Sequence, residues 1–416
     1  MKFIINRLLL ENIISLLTVK GTQYLLSFIT FPYLVRVLHV DGFGQLAFAI
    51  GVVQYFLLLS NFGFDLSAPK NMACHDTGIR RSYYFSSIMA AKLCILAVLT
   101  VVFALFLWGI FIWTDSSVTL YSVVYINVIG TALFPIWFFQ GIQKMRYITL
   151  VSTAGKITSV AGIFLMVSGP NDIVWAGFFQ SVGNFIAAIF SWIIIIKEYP
   201  DILMRVKWRQ IKEAITESVP YFGSMVAINI YTTSTVVLLG LLTNEYTVGI
   251  YSAAIRLTDA FRGALNPIVD SVYPFVMKAA KESKEKALSI LRKTVISLSS
   301  FTALVCLLIC IFADVIVHYI LGTSYDESVT VLRILSFVPW ISITSTIYGI
   351  FGMISFGYQN QFSTILVCAA VLDLIIVFPL IWVFYADGAA FTVMITETFV
   401  LYRCVRFVNH NEIRFL

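Results

Sequence analysis

The sequence predicts an all-α polytopic membrane protein: twelve transmembrane helices in two six-helix lobes related by a parallel internal repeat. Three observations lead there: the composition, the spacing of the apolar runs, and a pattern that occurs twice at one offset. Of 416 residues, 59% are hydrophobic and 12% charged, with a mean hydropathy of +0.90. Soluble domains average about 25% charged residues, so half that share excludes an ordinary water-facing globule. The net charge of +6 does not signal nucleic-acid binding, because the charges sort by side of the membrane.

A helix needs about 20 residues to cross the hydrocarbon core. That ruler places spans at 11–38, 43–70, 82–113, 117–141, 147–168 and 172–197. The N-terminus lacks a small-residue cleavage site and its apolar stretch runs on past Lys20, so it reads as a retained span rather than a signal peptide. After the basic connector "KEYPDILMRVKWRQIKEA", further spans fall at 214–242, 247–277, 286–319, 327–353, 360–385 and 388–409. The expected organisation is an N-terminal lobe (1–197), a connector (198–213) and a C-terminal lobe with a short tail (214–416).

Lysine and arginine set the orientation. With the N-terminus inside, 21 of the 28 fall in inner segments and none in the six outer loops. Each outer loop instead carries an acid: Asp41, Asp115, Asp172, Glu245, Asp326 with Glu327, and Asp387. Both termini are therefore expected on the cytoplasmic side. The loops are too short for a folded catalytic domain, and no phosphate-binding G-x-x-x-x-G-K-[ST] occurs, which disfavours an enzyme or an ATP-driven pump. The four histidines share no ligand spacing, and the six cysteines fall in spans or inner loops, so neither a metal site, a cofactor nor a disulfide framework is expected.

The repeat lies in spans two and eight. "NFGFDLSAP" and "NPIVDSVYP" place Asn61, Asp65 and Pro69 against Asn266, Asp270 and Pro274 at an offset of 205 residues. At the same offset Gly44 meets Gly249, Ala49 meets Ala254 and Phe56 meets Phe261. Both copies sit in the second span of a six-span half and run the same way, which makes the repeat parallel. The two carboxylates and prolines are expected to act as gate or hinge elements near the inner ends of their helices, each proline loosening the last turns.

An ionisable group at membrane depth is costly, so its default reading is functional. In "RLTDAFRGALNPIVD", at 100° per residue, Arg256, Asp259, Arg262 and Asp270 fall within an arc of about 120°. Lys20, Lys92 and Lys156 each lie nine or ten residues from the inner end of their span, roughly 14 Å and close to the midplane. Together they describe a cationic chamber in the first lobe. In the second lobe Arg256, Arg262 and Arg333 are offset by Asp259, Asp270, Asp373 and Glu397. Two readings of these carboxylates stand side by side: proton or sodium coupling, and structural pairing with the arginines.

The blocks "VKGTQYLLSFITFPYLVRVLHVDGFGQLAFA", "NFGFDLSAPKNMA" and "IYSAAIRLTDAFRGALNPIVDSVYPFV" resemble bacterial O-antigen flippases of the Wzx type. These belong to the multidrug/oligosaccharidyl-lipid/polysaccharide exporter superfamily. The resemblance implies a V-shaped, MATE-like architecture and alternating access through a cationic central cleft. The substrate it implies is an undecaprenyl-pyrophosphate-linked oligosaccharide, with membrane lipid, an O-antigen polymerase and a chain-length regulator as further partners. In that frame Lys20, Lys92, Lys156, Arg256 and Arg262 are the candidate substrate-binding residues. Asp65, Asp259, Asp270, Asp373 and Glu397 are the candidates for ion coupling or gating. The alternatives are a cation-coupled small-molecule exporter of the same superfamily, or a flippase for another lipid-linked polysaccharide precursor.

Overall fold

A computed structural model describes residues 7–74, 78–113, 118–411 and 413. Within its helices the side chains of residues 7–20, 22–25, 73, 74, 113, 224, 227, 228, 230–232, 267, 268, 270, 271, 274 and 281 lie outside the described set. Every described element is helical. Contacts divide the chain into two units, Met1–Leu38 with Ala49–Val226, and His39–Phe48 with Ala227–Leu416.

The first unit holds α1 (Arg7–Asn61, up to His39 and again from Ala49), α2 (Phe64–Cys74), α3 (Gly78–Trp113), α4 (Val118–Leu133), α5 (Ile136–Gly141), α6 (Met145–Met166), α7 (Ile173–Glu198) and the start of α8 (Trp208–Leu242). A straight helix of 55 residues, the length of α1, would measure roughly 80 Å against a core of about 30 Å. It breaks at His39, where φ is 56° and ψ −178°, between the two expected spans. Helices α4 and α6 both pack on α7, and α2 packs on α5. The core is aromatic, with Phe64, Phe85, Trp137, Phe138 and Phe139 all fully buried. At the end of α7, Lys144 Nζ donates to Glu198 Oε2 at 2.8 Å and lies over the rings of Tyr147 and Tyr199, at 5.5 and 5.2 Å. Hydrogen bonding to Glu198 and Tyr199 holds the Lys144 ammonium above the usual lysine range.

The "NFGFDLSAP" stretch differs from expectation. The helix breaks not at Pro69 but at Phe62 and Gly63, whose φ values are +43° and +78°, and α2 runs on through Pro69. Packing against α8 fixes the break. Phe62 stacks on Phe222 with centroids 4.4 Å apart, Ser67 and Ser218 hydroxyls are 2.7 Å apart, and Asn71 donates to Glu217 at 3.0 Å. A Cβ on Gly63 would stand 2.8 Å from Phe222 N and 2.9 Å from Ser218 O. Gly63→Ala is therefore expected to destabilise by about 1–3 kcal/mol, through both φ strain and crowding. Gly223→Ala, with open space around its Cβ, is expected to leave the protein unchanged or slightly stabilised. Thermal midpoints in detergent check the pair, and equal midpoints would remove Gly63 as the cause of the break.

The second unit holds the rest of α8, α9 (Glu245–Glu282), α10 (Lys284–Thr294), α11 (Ser300–Ile311), α12 (Ala313–Ile320), α13 (Ser328–Leu335), α14 (Val338–Thr346) and α15 (Gln359–His410). Asn244 caps α9, its side-chain oxygen accepting from Thr247 N at 2.9 Å, as N-cap asparagines do. Helix α9 then continues unbroken through Asn266 and the backbone of Pro274, so the repeated motif is bent in one copy and straight in the other. The repeat-related glycines themselves touch. A Cβ on Gly44 would stand 1.9 Å from Glu245 O and 2.9 Å from Gly249 N, and one on Gly249 2.2 Å from Val40 O. Two π-helical stretches, Val295–Ser299 and Ile347–Met353, interrupt the apolar runs around α11 and α14.

Helix α15 is two spans. Tyr385 takes φ 50° and ψ −121°, and Thr396 donates to Asp373 Oδ1 at 3.0 Å across 23 residues, a contact that a straight helix forbids. The chain therefore reverses near Tyr385. Among the described residues, eight helical stretches are long and apolar enough to cross a membrane, residues 26–72 and 359–410 among them. The chain is a multi-pass membrane protein.

Candidate functional site

In the first unit, Lys92 on α3 is buried, with 1% exposure. Its ammonium forms no hydrogen bond or ion pair with another described residue, and the charge that acts on it is Asp65 on α2. An ammonium has three donors and no acceptor, so Lys92 is a buried basic group with its hydrogen-bonding capacity unspent. The Gly63 break positions Asp65: it opens α2 on a new axis, with Asp65 in the first turn of that helix. The buried hydroxyl of Ser60 and Oδ1 of Asn61 have no hydrogen-bond partner among the described residues. Lys156 on α6 is half-buried. The Lys20 side chain lies outside the described set, and the structure brings together Lys92 and Asp65.

In the second unit, the charged residues of α9 meet those of α15. Arg262 Nη1 lies 4.0 Å from Glu397 Oε1. Asp259, exposed at the surface of α9, acts electrostatically on Arg256, Arg262 and Glu397. The Arg256 guanidinium carbon sits 5.7 Å from the centroid of Phe43, within cation–π range. By formal charge the four groups balance, two cations against two anions. Asp373, about three turns from the α15 reversal at Tyr385, is 1% exposed, Oδ1 accepts from Thr396, and Oδ2 is buried without a donor among the described residues. Tyr251 on α9 feels both Asp259 and Asp373. Asp270 lies outside the described residues.

Arg333 requires a correction. The sequence groups it with Arg256 and Arg262, but its Nη2 donates to Asp314 Oδ2 at 2.5 Å with the two side chains 49% and 63% exposed. It begins only six residues inside its span, close enough for the long side chain to snorkel outward. Sequence reasoning also missed Tyr251, Thr396 and Phe43. Thr396 stands beside Glu397 in the sequence, a signal that could have been used. Nothing local in "DGFGQL" marks Phe43 as the partner of an arginine more than two hundred residues away.

Residues 9–280 match the family described as "Polysaccharide biosynthesis protein". A protein of Escherichia coli (strain K12) named "Putative O-antigen transporter" is 31% identical over 414 residues, covering 98% of this chain and 99% of that one. A protein of the same name from Shigella dysenteriae is 28% identical over 393 residues, covering 94% and 98%. Among solved structures, the lipid II flippase MurJ in an inward closed conformation superposes with a TM-score of 0.76 at 15% identity, covering 95% of this chain and 87% of that one. An inward-facing multidrug resistance MATE family transporter of the MOP superfamily gives 0.67 at 12% identity, covering 95% and 97%. These two likenesses establish a shared fold, and with the match over residues 9–280 and the near full-length relative, the chain belongs to the polysaccharide biosynthesis protein family.

Proposed function

We propose that this protein flips undecaprenyl-pyrophosphate-linked O-antigen repeat units from the cytoplasmic to the periplasmic leaflet of a bacterial inner membrane, with both termini cytoplasmic. The observation that carries the reading is the presence of Lys92, Arg256 and Arg262 on long helices of a multi-pass member of this family. A pyrophosphate cannot cross about 30 Å of hydrocarbon uncompensated. Lysine and arginine at depth supply that compensation, arginine through its planar fork and lysine as a point charge. Lys20, Lys92, Lys156, Arg256 and Arg262 form the cationic path in this reading, alternately open to one leaflet and then the other. Asp259, Asp373 and Glu397 supply coupling to a proton or sodium gradient, and Asp65 and Asp270 act at the gate. The two six-helix lobes inferred from the sequence are the moving parts. An O-antigen polymerase and a chain-length regulator act on the delivered product.

Reconstitution tests the proposal. Liposomes carrying the protein and a defined undecaprenyl-pyrophosphate oligosaccharide are scored for the sugar reaching the opposite leaflet, with and without imposed proton or sodium gradients. Leaflet transfer above protein-free liposomes is the expected result. No transfer under any gradient, or efflux of cationic dyes instead, would replace the flippase reading with that of a small-molecule exporter.

A further inference from the structure

The hairpin in α15 brings its two ends, Gln359 and His410, to one side of the second unit. Between them lies a cavity of about 490 Å³ whose walls include Gln361, Thr364, Arg403, Arg406, Phe407 and His410. None of its lining residues is acidic. Arg403 and Arg406 are both exposed and stand three apart, on one face of the helix. Neither forms an ion pair with another described residue. Some exposed cations elsewhere are spent on carboxylates, as in Lys144–Glu198, Arg209–Glu213, Lys286–Glu282 and Arg333–Asp314. Two unspent guanidinium groups flanking one cavity form an anion site by their chemistry, since the arginine fork matches phosphate oxygens in pairs.

The cavity also has an apolar side. Ile365 and Phe407 line it, and from it an exposed apolar stripe descends the first half of α15: Val367, Val371, Ile375 and Phe378, each 47–65% exposed. From Thr364 to Phe378 the stripe runs roughly 21 Å, more than the depth of one leaflet's hydrocarbon. An occupant with an anionic head and a long apolar chain satisfies both parts, whereas free phosphate uses only the first. Arg403 lies seven residues before the helix end, about 10 Å inward, within reach of headgroup level by snorkelling.

We infer that the Arg403–Arg406 cavity binds the phosphate headgroup of an anionic phospholipid, with an acyl chain laid along the Val367–Phe378 stripe. Basic pockets between transmembrane helices hold such headgroups elsewhere. The inference is independent of the flipping reaction, since it concerns a resident lipid and not cargo.

Native mass spectrometry of the detergent-purified protein, titrated with phosphatidylglycerol, cardiolipin, phosphatidylcholine, an isoprenyl diphosphate or inorganic phosphate, tests it. Wild type is expected to bind the anionic phospholipids at least ten-fold more tightly than phosphatidylcholine. Arg403→Gln with Arg406→Gln should lose that preference, and the equal-charge control Arg80→Gln with Arg81→Gln should keep it. Should the glutamine pair not accumulate, Arg403→Lys with Arg406→Lys keeps the charge, loses the fork, and should weaken binding several-fold. Equal loss in the control, or unchanged binding in the lysine pair, would overturn the site. Competition by millimolar inorganic phosphate would reassign it to a free anion, and preference for the isoprenyl diphosphate would reassign it to the cargo.

Discussion

Arg262→Ala is expected to abolish surface O-antigen and to lower the thermal midpoint of the purified protein; adding Glu397→Gln should restore the midpoint without restoring export. Arg262 faces Glu397 at 4.0 Å, and Asp259 acts on the same group. Removing the arginine leaves Glu397 and Asp259 opposed only by Arg256. Breaking a buried pair costs about 3–5 kcal/mol when one charge is left alone, and the 38% exposure of the Arg262 side chain puts the cost here at or below the low end of that range. Neutralising Glu397 as well removes the stranded anion, so the fold recovers. Export does not on the proposed function, because the cation assigned there to the pyrophosphate is still missing. The checks are the midpoint in detergent, the level in membranes, and the lipopolysaccharide ladder of a strain carrying only the variant. A double variant that also restores the ladder would make Arg262 a purely structural residue.

That prediction rests on a pairing the sequence half disclosed. Helical periodicity put Arg256, Asp259 and Arg262 on one arc of α9, because 100° per residue is a local rule. It could not say which α15 carboxylate faces them; that depends on how two helices more than a hundred residues apart are set against each other. The place of Lys92 inside a span was legible from the sequence, but its relation to Asp65 was not. That relation follows from the turn at Phe62 and Gly63, which Phe222 and Ser218 on α8 hold in place. Pro69 was the louder local signal and the weaker cause: close backbone contact decided where the helix bends. Arg333 erred the other way. Counting residues along an apolar run ignores that a long side chain near the end of a span can turn back to an acid outside it, as it does to Asp314.

Asp373→Asn is expected to fold normally yet to lose the response of transport to an imposed ion gradient, with the rate falling at least ten-fold. The carboxyl sits almost fully buried, one oxygen accepting from Thr396 at 3.0 Å and the other with no donor among the described residues. A buried carboxylate oxygen with nothing opposite it is expensive, so the group either keeps a proton or takes a cation. Asparagine matches its shape, retains an oxygen for Thr396 and carries its own hydrogens, so the packing of the α15 hairpin survives. What it cannot do is bind and release the proton or sodium ion that the proposed coupling requires. Asp373→Glu keeps that chemistry but adds a methylene to a close-packed site, which should slow transport while preserving the gradient response. The decisive comparison is between the two variants in the same liposomes. Gradient-dependent transport by the asparagine variant would take Asp373 out of the coupling step and leave it as a hairpin residue, with Glu397 and Asp259 the remaining carboxylates able to carry the ion.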